Sequence, residues 1–233
     1  FAENDKDAYQ WRLLNDSLIA ASKNGNINLV NTLIQEGASV KARNRFGNTP
    51  LHYAARNGHI KVVKILVDNG ANINQSSLSG KTPLLESIIN KHAETANHFI
   101  DLKADINTVD NDNISLVIAA SFSGMTNIVN RLVNLNAPVD VIDDSGKSAI
   151  IYASAIGESK IINILLNSSK IDINERFNNG LTALMWAAGY GRNQAVKTLL
   201  KAGADKYIKD NDGNNASFHA SKNAYPKLAE LLK

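Results

Sequence analysis

A glycine returns along this chain at the spacing of one helix pair. Gly47, Gly80, Gly146, Gly180 and Gly213 stand 33, 66, 34 and 33 residues apart, and Asn113 fills the slot between Gly80 and Gly146. The residues after each keep step: TPLHYAA from Thr49, TPLLESI from Thr82, SLVIAAS from Ser115, SAIIYAS from Ser148 and TALMWAA from Thr182. The second half of each period keeps step too, as in VVKILVDNGANIN, IVNRLVNLNAPVD and AVKTLLKAGADKY. One such segment holds two short helical patterns and cannot bury its own apolar stripe. Stacking on copies of itself solves the problem, so the period dictates a repeat array.

The best-formed segment, Gly47 to Asn74, gives each residue a mechanical reason. Thr49 is an N-cap, offering its hydroxyl oxygen to the unpaired amides of a first turn. Pro50 at the first helical position loses no hydrogen bond. Leu51 and Ala54 face the core, and the small Ala lets neighbouring helices approach. Gly58 and Gly70 end the two helices where a left-handed residue is wanted. Val62, Val63, Leu66 and Val67 make the apolar stripe of the second helix. This pattern resembles the ankyrin repeat family, over nearly the whole chain. The resemblance implies an all-α solenoid of helix-turn-helix units with projecting β-hairpin loops. It also implies a backbone hydrogen bond between loops for His52, worth on the order of 1 kcal/mol.

The period divides the chain into an N-terminal capping repeat at 1–43, full repeats at 44–76, 77–109, 110–142, 143–176 and 177–209, and a C-terminal capping repeat at 210–233, all in a single domain. The first segment keeps Gly25 and Gly37 in register but lacks Thr-Pro, and Tyr9, Trp11 and Leu14 extend its first helix. Pro226 and KLAELLK suit a terminal cap with a polar face. Three departures stand out. Lys91 and Lys103 replace the helix-ending glycines of the third unit. The fourth unit lacks Thr-Pro. The fifth carries one extra residue in NSSKIDIN, which is expected to change the stacking angle locally.

Little in the chain points to chemistry. The formal charge is +3 with no run of Lys and Arg, so nucleic acid is not expected as a partner. There is no cysteine, hence no thiol nucleophile and no thiolate metal site. No apolar stretch reaches the roughly 18 residues of a membrane span. His59 and His92 share one repeat slot, and no two histidines form a helical metal pair with a carboxylate. The pairs Asp110 and Asp112, Asp143 and Asp144, and Asp210 and Asp212 fall at repeat starts, where Asp caps turns. The serines beside Lys170 read as a loop insertion rather than a Ser-Lys site. We therefore expect no catalytic residue, no metal and no cofactor. Abundant Asn suggests an AT-rich, bacterial genome. FAENDKD suits a mature start after signal cleavage as well as a plain boundary, so export and the cytoplasm are equally expected.

The resemblance implies a partner protein, bound in a concave groove by hairpin tips and first helices. By register the groove residues are Arg45, Phe46, Tyr53, Arg56, Phe122, Tyr152, Trp186 and Tyr190, with Leu78, Glu86 and Ile89 nearby. Tyr53, Tyr152 and Trp186 share one slot. In a chain with only 6% aromatics this placement favours binding, since interfaces enrich Tyr, Trp, Phe and Arg. Side-by-side packing is the competing reading. Trp186 and Tyr190, four apart, should share a helix face. Gly189 and Gly191 should leave room for a partner's backbone. The expected function is a non-catalytic interaction module, acting as a monomer. The alternatives are the recruiting region of a larger enzyme with a domain upstream of Phe1, or a rigid spacer.

Overall fold

The computed structural model describes residues 2–168 and 170–233, and of residues 2–8 the backbone alone. The cleavage-boundary reading of Phe1 and the Ser169 part of the insertion lie outside the described residues. Fourteen α-helices form among the described residues, in seven pairs. They are α1 (Ala2–Lys23) with α2 (Ile27–Gln35), α3 (Pro50–Arg56) with α4 (Ile60–Asp68), and α5 (Pro83–Ile89) with α6 (Ala93–Asp101). Then come α7 (Leu116–Phe122) with α8 (Thr126–Asn134), α9 (Ala149–Ile156) with α10 (Ser159–Leu166), α11 (Ala183–Gly189) with α12 (Asn193–Lys201), and α13 (Ala216–Lys222) with α14 (Pro226–Leu231). The chain forms two compact units, one ending at Asn111 and one spanning Asp112–Lys233. In the first, α3 packs between α1 and α5. In the second, α9 packs between α7 and α11, and α13 packs on α11.

The helices start as their sequences dictate. Hydroxyls of Thr49, Thr82, Ser115 and Thr182 and the carboxamide of Asn215 each accept the N–H three residues on. Ser115 caps α7 although its unit lacks Thr-Pro. Leu51, Ala54 and Ala55 on α3, and Val62, Val63 and Leu66 on α4, are fully buried, while Val67 is half-buried. Each large aliphatic side chain so buried contributes about 1.5–3 kcal/mol relative to exposure. On α1, Leu14 is half-buried, but Tyr9 and Trp11 stand exposed.

Gly58 takes φ +69°, the left-handed conformation the turn requires. It also lies under the His92 ring of the next repeat, so a Cβ there would collide with the imidazole. Lys91 (φ 62°) and Lys103 (φ 59°) hold the same backbone where glycine was expected. The turn is therefore kept at these two positions with a strained residue in place.

The projecting loops are turns rather than paired strands. The Asn44 N–H donates to the Asn48 carbonyl at 3.0 Å and the Gly47 N–H to the Asn44 carbonyl at 2.9 Å. The same two bonds recur at Ser77–Lys81, Asp143–Lys147, Phe177–Leu181 and Asp210–Asn214. A five-residue turn leaves room for no ladder, and Ile142 and Ser148 form an isolated bridge. Neighbouring tips are stitched together within each unit, Leu78 N–H to Phe46 O at 3.0 Å and Asn211 N–H to Asn179 O at 2.9 Å.

Candidate functional site

The eight residues singled out by register gather in two places, one in each compact unit. In the first unit, Arg45 and Phe46 sit at a loop tip, with the guanidinium 4.7 Å from the ring centre. Tyr53 and Arg56 face them from α3, the guanidinium 5.1 Å from the Tyr53 ring. Phe46, Tyr53 and Arg56, with Asn48, Leu78, Ser79 and Asn111, line a cleft of about 560 Å³, and Arg45 stands beside it on Phe46. Phe46 is 53% exposed and Leu78 67%.

Two of these residues already have partners within the chain. The Tyr53 hydroxyl accepts from Asn44 Nδ2 at 2.8 Å. Arg56 donates through Nε at 2.9 Å and Nη2 at 2.6 Å to the two oxygens of Glu86. That bond, more than the opposing burial, raises the Arg56 pKa. Glu86 was expected to face outward, yet it is only 3% exposed. A buried carboxylate needs its partner, because removing one side of such a pair costs about 3–5 kcal/mol. Arg56 is thus bound into the fold and presents only its outer edge to the cleft.

In the second unit the Phe122 and Tyr152 rings meet edge to face at 5.4 Å. Trp186 and Tyr190 share one face of α11 and its C-terminus, as their spacing of four predicts, and stack at 5.8 Å with planes 9° apart. The Lys147 ammonium lies 5.8 Å from the Tyr152 ring and 5.6 Å from that of Trp186. Phe122 is 61% exposed and Tyr190 49%. A cleft of about 310 Å³ beside the stacked pair is lined by Leu181, Met185, Gly189, His219 and Asn223. Gly189 lines that cleft, whereas Gly191 leaves no room for a partner, because the Tyr225 ring covers it.

The loop below holds these rings in place. The Tyr152 hydroxyl donates to Asp143 Oδ2 at 2.6 Å, and the Lys147 N–H donates to Oδ1 at 2.9 Å. Burial pushes the Asp143 pKa up, but these bonds and those from Ser145 outweigh it and hold the carboxyl below the usual range. Burial, then the bond to Asp143, raises Tyr152. His219, in the slot of Trp186, donates through Nε2 to Asp210 Oδ2 at 2.8 Å. Burial likewise opposes ionisation of Asp210, and N–H bonds from Asn214 and Asp212 with the His219 bond bring its pKa down. The carboxylates at these two repeat starts therefore cap turns, as read from the sequence.

His52 is fully buried and joins two loops. Its Nδ1 accepts the Thr49 N–H at 3.1 Å, which leaves the proton on Nε2 to donate to the Lys81 carbonyl at 3.0 Å. His59 and His92 reach back to the Lys23 and Arg56 carbonyls at 3.0 and 2.9 Å. The profile for ankyrin repeats (3 copies) matches residues 18–110, 116–210 and 177–233. The chain belongs to the ankyrin repeat family. Ankyrin repeats are generally protein–protein interaction modules and are typically non-catalytic. Comparison with the curated proteins gave no match. Among the described residues no helix is long and apolar enough to cross a membrane.

Register alone missed several features of this ankyrin chain. Lys147 contributes as much to the second patch as the residues it singled out. The polar pairs nine residues apart, Asn44–Tyr53, Asp143–Tyr152 and Asp210–His219, are visible once the loop and helix slots are aligned. Exposed Tyr207 and Trp11 line neither of the two clefts, so exposure by itself does not mark a site.

Proposed function

We propose that this ankyrin chain is a non-catalytic module that binds a partner protein through its loop tips and first helices. The observation that carries the reading is the stacked, solvent-facing pair Trp186–Tyr190 beside an open cleft. Interface energy concentrates in aromatic and Arg anchors set against a pocket. The ring of Trp186 is half-buried, which gives it the fixed orientation an anchor needs. The test uses the full chain to capture partners, identification by mass spectrometry, and titration of the purified partner by calorimetry. Changing Trp186→Ala and Tyr190→Ala together weakens binding by at least about 2 kcal/mol, the usual hot-spot threshold. The melting temperature falls less than for Leu184→Ala, a change in the fully buried core. Intact binding with a collapsed melting temperature would assign these rings to packing.

A further inference from the structure

The cleft in the first unit has a chemistry of its own. Two cations of one loop stand beside it. Arg43 and Arg45 are exposed, while Glu86 and Asp110 of the same unit are buried. The Arg43 guanidinium donates to the Gly47 and Ser76 carbonyls at 3.2 and 2.8 Å, so it is held in place, with no ion pair among the described residues. Arg45 makes no ion pair among the described residues, and its plane is supported by the Phe46 ring. A guanidinium oriented in this way suits a carboxylate bound by two parallel N–H bonds.

Beside that charge stands apolar surface. Phe46 and Leu78, on adjacent tips tied by one backbone bond, are more than half exposed and flank the cleft. Asn48 lines the same cleft, and its Oδ1 is buried with no hydrogen-bond partner.

Building on the protein-binding reading above, we propose that this cleft takes an extended segment of a partner that carries an acidic side chain next to an aliphatic one. The carboxylate meets Arg45 beside the cleft, and the aliphatic group fills the space between Phe46, Tyr53 and Leu78. The order of charge then apolar along the cleft is what selects the segment. Opposite charge also speeds encounter and makes the affinity fall with salt.

The experiment displays random short linear peptides and selects them on the full chain, then measures the enriched peptides by fluorescence anisotropy. Enriched sequences hold Asp or Glu beside Leu, Ile or Val. Arg45→Glu, at an exposed tip, weakens them at least about tenfold, and so does Leu78→Ser. Circular dichroism checks that both variants fold. Selection of basic or uncharged peptides, no peptide binding at all, or binding indifferent to Arg45→Glu would overturn the proposal. Peptides lost only in the Trp186→Ala, Tyr190→Ala variant would overturn it too. In any of these cases capture of a folded partner, tested separately above, would leave the general reading standing.

Discussion

Inside the first unit His52 is held neutral, with one ring nitrogen accepting and the other donating. Burial lowers its pKa, against the pull of the Lys81 carbonyl and of Glu86. The unfolded chain takes up a proton near the ordinary value of about 6.5, and the folded chain does so only at lower pH. In that window the unfolded state binds more protons, so stability rises with pH. The His52 contribution is complete above about pH 6.5 and is lost as pH falls through the folded value. Urea denaturation at a series of pH values should show a shallower slope for His52→Asn than for wild type across this window. Equal slopes would mean the ring titrates normally. A second residue-scale effect concerns hydroxyls. Ser121 and Ser154 occupy the slot that holds Ala55 and Ala188, and their Oγ atoms are buried without a partner. Ser121→Ala and Ser154→Ala should each raise stability by about 1 kcal/mol. A lowered urea midpoint would show that the hydroxyl is satisfied in solution.

At the scale of one helix pair, the turn between helices carries two constraints. One is the left-handed backbone, and the other is the side chain the next repeat lays on it. Gly58 meets both, since φ is +69° and the His92 ring covers it. Lys91 takes the same left-handed backbone with its side chain exposed, at a cost of about 1–2 kcal/mol for a residue with a Cβ. Lys91→Gly should therefore stabilise by roughly 1 kcal/mol, while Gly58→Ala destabilises by more than the backbone term alone. Thermal melts of the two variants check the contrast, and equal and opposite shifts would remove the role of the ring. This level was largely legible in the sequence. Caps, core stripe and helix ends follow from residue types at fixed offsets. What was not legible depends on two repeats at once, as in Glu86 drawn inward to Arg56 or Tyr225 closing over Gly191. Asparagine is the clearest case. Its abundance looked like genome bias, yet Asn74 and Asn174 accept the Asp105 and Asp205 N–H groups of the next repeat. Asn113, Asn136 and Asn179 hold left-handed turns.

For the whole molecule, the chain's division into repeats separates two jobs. The second helices supply stripes such as Ile128, Val129 and Leu132 to the core and show polar residues outward. The first helices and tips keep large side chains such as Phe46, Leu78, Phe122 and Tyr190 in water. In a repeat protein each segment rests on its neighbours, so binding surface can vary along the chain while the packing pattern stays fixed. The candidate site was legible only as a set of slots. The sequence placed the rings, but the bond from Asn44 to Tyr53 and the bond from Tyr152 to Asp143, which fix two of them, emerge from the fold. The most direct test is hydrogen–deuterium exchange of the full chain with and without its captured partner. Protection should appear at residues 44–57, 78–89 or 143–156 and 177–190, the tips and first helices. Protection confined to residues 60–68, 93–101, 126–134, 159–166 and 193–201, the second helices, would contradict the account.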